Sequence, residues 1–242
     1  MKKILILQMR PEDKAADSEF EAFLRVGEIK KEETERFRLE QDKKFEYDLN
    51  NFSAVITGGS PFDVSCPVHK KSATQKKIES FFNTLFDQVI EQDFPFLGAC
   101  SGNGLLGNYC GAPISGKYSE PVGSVVVTKT EEGNKDSLLY GLPDQFLAFV
   151  GHKEACDYVP KEASLLLSSA TCPVQMFRIK KNIYATQFHP EADVNEFVLR
   201  IKTYQNFGYF KPEEAEELIL ALQDKETPYA HEILKRFVKA YS

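Results

Sequence analysis

The 242-residue chain predicts an α/β fold, because short apolar runs that read as buried strands alternate with helical stretches from the N-terminus onward. Three observations carry this. KILILQ at 3–8 and SAVIT at 53–57 are β-prone and bounded by polar or turn residues, as strands covered on both faces are. Residues 72–90 repeat apolar side chains at helical spacing, and FPFLGA at 94–99 supplies a third buried strand. Strand, helix, strand thus recurs, the pattern of parallel neighbours in one sheet.

Taken in order, the run 3–8 is followed by a Glu- and Lys-rich span, 12–47, in which Phe20, Phe23 and Leu24 predict a crossover helix whose end is left open. Ser72 and Gln75 form a capping-box signature ahead of Ile78, Phe81, Phe82, Leu85, Phe86, Val89 and Ile90. Pro95 cannot continue that helix. From 122 to 188 the pieces VGSVVV, FLAFV, ASLLLS, VQMFRI and IYATQF predict an antiparallel or mixed part of the sheet. Beyond 193 the pattern is helical, and Ala230, Ile233, Leu234, Phe237 and Val238 mark a last amphipathic helix with His231 on its polar side. No repeat or linker divides the chain, so a single domain over 1–242 is expected, with a core of about 1–197 and a helical tail, 198–242, packed on it.

Composition narrows the function. A net charge of -6 with interleaved signs leaves no basic stripe for a phosphate backbone, so nucleic acid is not an expected partner. The longest apolar runs, such as ILIL at 4–7, fall well short of the ~20 residues of a membrane helix, and MKK precedes too short a run for a signal peptide. A cytoplasmic protein with no membrane contact is expected. Five cysteines at irregular spacing (66, 100, 110, 156 and 172) argue for reduced thiols rather than a disulfide framework. Cys66 and His69 form a C-x-x-H pair without a second pair at zinc spacing, so neither a metal nor another cofactor is expected.

The chemistry gathers at FPFLGACSGNG. Gly98-Ala99-Cys100-Ser101-Gly102 has the form of a nucleophile elbow, a sharp strand-to-helix turn that leaves the central side chain exposed at the sheet's carboxyl edge. The flanking glycines remove Cβ atoms that would collide with neighbouring strand or helix. The helix N-terminus would favour a thiolate, and its backbone N–H groups an oxyanion. A small buried core thiol is the alternative. A nucleophilic thiol needs a base, and of the four histidines (69, 152, 189 and 231) His189 stands out, in QFHPE at the end of an apolar run. If that segment is extended, Glu191 points the same way as His189 and orients its imidazole, completing a Cys100, His189, Glu191 triad.

With GACSG, QFHPE and ITGGS at 56–60, in that order and at those separations, the chain resembles the class I glutamine amidotransferases over about residues 1–195. His152 in GHKEAC resembles the family's Ser-His-x-Asp segment, and Gln175, Phe177 and Arg178 resemble the stretch ahead of its catalytic histidine. The resemblance implies a flavodoxin-like mixed, mostly parallel sheet with helices on both faces and a C-terminal helical extension. It also implies attack of Cys100 on the side-chain amide of glutamine, release of ammonia and a γ-glutamyl thioester. His189 would protonate the leaving amine and then activate water, with Gly59 and Ser101 as oxyanion-hole donors and Gly58, Asn103, Gly104 and His152 around the substrate. A separate ammonia-accepting synthetase subunit is the possible partner. The chain departs from the family at Gly104, where a Gln is usual, and at Asn103. That departure opens a second reading, hydrolysis of γ-glutamyl peptides or conjugates, and a third, a non-catalytic binding or regulatory protein on the same fold.

Overall fold

A computed structural model describes residues 2–41 and 44–242. Strand β1 (Lys3–Gln8) leads into α1 (Asp13–Gly27), which stops where Glu28 turns left-handed and returns its N–H to Leu24 O. The span from which a crossover helix was expected also holds a strand, β2 (Thr34–Arg38). TERFR shows no apolar alternation because it is an edge strand, pairing among the described residues only with β1, and of its five residues Thr34 alone is buried. Strand β3 (Phe52–Thr57) precedes α2 (Ala73–Gln92), whose N-cap Ser72 accepts the Gln75 N–H as its sequence signature predicts. Strand β4 (Phe96–Ala99) then runs directly into α3 (Ser101–Tyr109).

The β-rich stretch contributes β5 (Ile114–Ser115), β6 (Glu120–Lys129), β7 (Gln145–His152), β8 (Ala155–Cys156), β9 (Ala163–Ser169), β10 (Met176–Ile179) and β11 (Ile183–Thr186), with α4 (Glu131–Lys135) between β6 and β7. Among the described residues nine strands form one sheet in the order β2-β1-β3-β4-β11-β10-β9-β6-β7, and β5 and β8 pair separately. The first five strands run parallel, and the antiparallel half begins where β10 meets β11. This is the mixed α/β sheet the sequence predicts, with the flavodoxin-like order at its parallel end.

Alternation along each strand divides the core. Ile4, Ile6, Ala54, Ile56 and Tyr184 face one layer with Phe20 and Phe23 of α1, whereas Leu5, Leu7, Val55, Ile183 and Ala185 face the other with Phe82 and Phe86 of α2. The last helices are α5 (Val194–Tyr204), α6 (Ala215–Leu222) and α7 (Pro228–Tyr241). Ile233, Leu234 and Phe237 of α7 are fully buried in the layer with α1, so this end of the chain closes one face of the sheet. The sheet order reverses between β1 and β3, and the carboxyl ends of β1, β3, β4 and β11 converge beside that point. In an open α/β sheet this is where a ligand crevice forms.

Candidate active site

Cys100 is the residue between β4 and α3, and its backbone holds φ 54°, ψ -100°. That conformation costs a non-glycine residue about 1–3 kcal/mol and persists only where its surroundings impose it. Two contacts impose it. The Cys100 N–H donates to Thr186 O at 2.8 Å, anchoring the turn to β11. Gly98 and Gly102 close the elbow so tightly that a Cβ on Gly98 would lie 2.8 Å from the Gly102 carbonyl carbon, and one on Gly102 2.8 Å from Thr57 Cγ2. The elbow inferred from sequence is therefore present, with its side chain half-buried at the edge of the sheet.

His189 reaches the same edge beyond β11, its N–H bonded to Phe149 O at 3.0 Å and its ring against the edge of Phe197. Glu191 lies 2.8 Å from its Nδ1. The route differs from the extended segment expected: residues 189–192 form a turn in which Ala192 N–H donates to His189 O at 3.4 Å. Pro190 is the reason, since its fixed φ suits the second position of a turn and not a strand.

Cys100 stands between two hollows. Together with His189 it lines a narrow cleft walled by Arg10, Arg200, Phe197 and Tyr204. On its other side a second narrow hollow is lined by Ser101, Gly104, His152, Lys153 and Glu154. Ser60 and Tyr209 border both. Tyr209 reaches them from the segment after α5 and lies under Lys153 Nζ, 5.0 Å from its ring centroid, so residues beyond 198 complete the cleft.

Of the residues expected around the substrate, Gly104 and His152 line the second hollow. A Cβ on Gly104 would make only ordinary contacts, 3.6 Å to Val64 and 3.8 Å to Glu154. Asn103 lines neither hollow. It is fully buried, and its Oδ1 accepts from the Cys156 thiol at 3.4 Å. Residue 103 is one step around α3 from Gly104, and that step turns its side chain from the cleft towards β8. Gly58 also stays out of the cleft, against the Glu19 carboxylate.

The expected oxyanion donors differ in state. Ser101 begins α3, where backbone N–H groups have no acceptor within the helix, and its Oγ accepts the Ser60 N–H at 2.8 Å. The Gly59 N–H donates to Glu19 Oε1 at 3.2 Å. Glu19 is itself held by Arg10 Nε at 2.8 Å and Gln8 Nε2 at 3.0 Å.

Burial pushes the Cys100 thiol up to about 11, against the pull of Arg10 and Arg200. Burial also lowers His189, with Glu191 opposing and Arg200 and Arg10 assisting. The resting pair is accordingly thiol and neutral imidazole. Burial would raise the Glu191 carboxyl, but His189 and Arg200 more than offset it and keep it ionised.

The buried charges around this site, Arg10, Glu19, Glu196 and Arg200, carry no sequence motif and were not foreseen. Arg10 had one available signal, its place just past the carboxyl end of β1. Glu120, His152 and Cys172 also cluster, each offering an atom within 4.8 Å of the others. Glu120 is satisfied there by hydrogen bonds alone: His152 Nε2 at 2.8 Å, Gln175 Nε2 at 2.7 Å, and the Thr171 hydroxyl.

An open α/β sheet with a strained thiol at the end of a parallel strand and a His–Glu pair across a cleft is an arrangement found in the class of cysteine-nucleophile hydrolases and transferases. Within it, the family model "Glutamine amidotransferase class-I" matches residues 29–202. The chain belongs to the class I glutamine amidotransferase family. A glutamine-hydrolysing GMP synthase subunit of Thermoplasma volcanium is 28% identical over 172 residues, covering 71% of this chain and 77% of that one. The protein of the same name in Methanococcus maripaludis strain C5 is 30% identical over 110 residues, 45% of this chain and 57% of that one. Among solved structures, a glutamine amidotransferase from Thermotoga maritima superposes with a TM-score of 0.78 over 99% of both chains at 20% identity. One from Methylobacillus flagellatus gives 0.71 over 100% of this chain and 96% of the other at 17% identity. At these identities the structures establish the shared fold. Among the described residues no helix is long and apolar enough to cross a membrane.

Proposed function

We propose that the protein hydrolyses the side-chain amide of glutamine through a γ-glutamyl thioester on Cys100. The observation that carries the reading is the assembly of Cys100 and His189 on one cleft with Glu191 2.8 Å behind the imidazole. His189 takes the thiol proton as sulfur attacks the amide carbon, and the oxyanion forms at the N-terminus of α3 beside the Ser101 N–H. His189 then returns the proton to the departing nitrogen, and ammonia leaves. Water, deprotonated by the same imidazole, attacks the thioester; the C–S bond breaks and glutamate departs. Gly59 contributes to the oxyanion hole once its N–H exchanges Glu19 for the oxyanion.

The two hollows suit this chemistry. The leaving nitrogen must lie on the His189 side, so the acyl portion occupies the hollow lined by Lys153 and Asp63, whose mutual ion pair at 2.8 Å would open to meet the carboxylate and ammonium of an amino acid. The names of the relatives support, for the partner that receives ammonia, a separate synthetase subunit. Incubation with glutamine, reading ammonia and glutamate, is expected to show turnover that Cys100→Ala abolishes. Absence of turnover, with and without a candidate synthetase partner, would remove the proposal.

A second reading is favoured by one feature. The His189 side of the cleft carries apolar walls at Val122, Phe197 and Phe210, which departing ammonia does not need. It suits γ-glutamyl peptides, and a panel of such peptides against free glutamine separates the two.

A further inference from the structure

One nitrogen of the site has two partners that cannot both be served. His189 Nδ1 lies 2.8 Å from Glu191 Oε1, which can only accept, and 2.8 Å from Arg200 Nη1, which can only donate. If Nδ1 carries the proton, it bonds Glu191 and confronts the guanidinium N–H; if bare, it accepts from Arg200 and confronts the carboxylate. Meanwhile Glu191 Oε2 and Arg200 Nε are buried without hydrogen-bond partners. The group is therefore satisfied in neither arrangement; Arg200 Nη2 already donates to Glu191 Oε1 at 2.9 Å, and the two idle atoms are the complementary halves of a second Arg–carboxylate contact.

We propose that Arg200 is a positioning residue that competes with Glu191 for His189 Nδ1 and thereby sets which ring nitrogen holds the proton. With Arg200 donating, the proton resides on Nε2, and His189 cannot accept the Cys100 proton. With the guanidinium drawn fully onto Glu191, Nδ1–H bonds the carboxylate, Nε2 is bare, and the base is armed. Arg200 also disfavours the imidazolium it touches. It makes no hydrogen bond to the thiol, so it opposes Cys100-to-His189 proton transfer more than it assists it.

The remaining charges about His189 come from several elements. Arg10 arrives from the end of β1; Glu19 of α1 stands 3.8 Å from Arg200 Nη2; Glu196, one turn before Arg200 on α5, binds Nη2 at 3.0 Å; and Cys100 lies across the cleft. Glu196 draws Arg200 away from His189, which makes it the natural second handle on the equilibrium.

The catalytic consequence rests on the amide-hydrolase reading; the tautomer does not, and the substrate-free full chain tests it. With only four histidines, imidazole ¹⁵N spectra at pH 8 can be assigned by the signals lost in His189→Gln. The expected wild-type state has the proton on Nε2, moving to Nδ1 in Arg200→Met. Alkylation of Cys100 by iodoacetamide at pH 7 is expected to be about tenfold faster in Arg200→Met. Glu196→Gln keeps Arg200 but removes its competing carboxylate, and is expected to retain Nε2–H and to slow alkylation about two- to threefold. A wild-type His189 protonated on Nδ1, an Arg200→Met protein alkylated no faster, or a faster Glu196→Gln protein would overturn the proposal. Should Arg200→Met fail to fold, the wild-type tautomer and Glu196→Gln decide it. The expected tautomers without glutamine turnover would count against the hydrolase reading alone.

Discussion

Among the described residues two buried histidine–glutamate pairs, each with a ring nitrogen 2.8 Å from a carboxylate oxygen, have contrasting surroundings. At Glu120–His152 both ring nitrogens are engaged: Nε2 meets Glu120 and Nδ1 meets Glu154 O at 3.0 Å. Neutral donors from Gln175 and Thr171 complete the carboxylate. At Glu191–His189 a cation competes for the same ring nitrogen, one carboxylate oxygen has no partner, and the ring borders an open cleft with a thiol on its rim. His152 is fixed between a carboxylate and a backbone carbonyl, whereas His189 meets a cation as well as a carboxylate at the rim of a cleft, the kind of setting in which proton-transfer sites are found.

Removing each member of the two pairs should sharpen that contrast. The largest effect is expected for His189→Ala, which should lower glutamine turnover by about 10³-fold or more while leaving the thermal midpoint near the wild-type value. A collapse in stability with retained activity would exchange the roles of the two histidines. Glu120→Ala should act in reverse, destabilising by about 3–5 kcal/mol in denaturant unfolding, because it leaves His152 and the Gln175 amide buried without their acceptor.

Acid should distinguish the pairs more finely. Burial would raise the Glu120 carboxyl, but hydrogen bonds from His152 and Thr171 and the proximity of His152 outweigh it, so its folded value lies below the usual range. The stability this supplies is complete above the unfolded value of about 4.3 and is lost as pH falls towards the folded one. Glu120→Gln should therefore flatten the fall of stability below about pH 5. By contrast, activity should fail on the acid side only below about pH 6.5, because His189 titrates below its ordinary value and must be neutral to act as base. An acid limb above pH 7 would contradict that order. The smallest change is expected at Gly104→Ala: its Cβ meets only ordinary contacts, so stability should shift by about 1 kcal/mol or less.

What could be read from the chain follows from the range of the interactions involved. The elbow was legible because strand, glycines, thiol and helix are neighbours in sequence, and Gly98 and Gly102 are required by the same turn that exposes Cys100. The His189–Glu191 contact was legible for a similar reason, although the turn at Pro190 replaces the extended geometry expected. Strand β2 was obscured because an edge strand buries little and so lacks an alternating apolar pattern. Asn103 was expected at the cleft through the family resemblance alone, yet adjacent residues on a helix point about 100° apart, and its side chain turns away from the side of Gly104.

By itself the amino-acid sequence determined the α/β class and the order of most of its buried elements, and it pointed to Cys100 at the elbow and His189 beside Glu191 as candidate site residues, since periodicity and turn chemistry are local properties of the chain. The tertiary structure alone decided the electrostatic setting of that chemistry. Arg10 and Glu19 come from the end of β1 and from α1, and Arg200 from a helix 100 residues beyond Cys100, and no spacing rule links them. They meet because parallel strands deliver their carboxyl ends to one edge of the sheet, where charges removed from water must find one another.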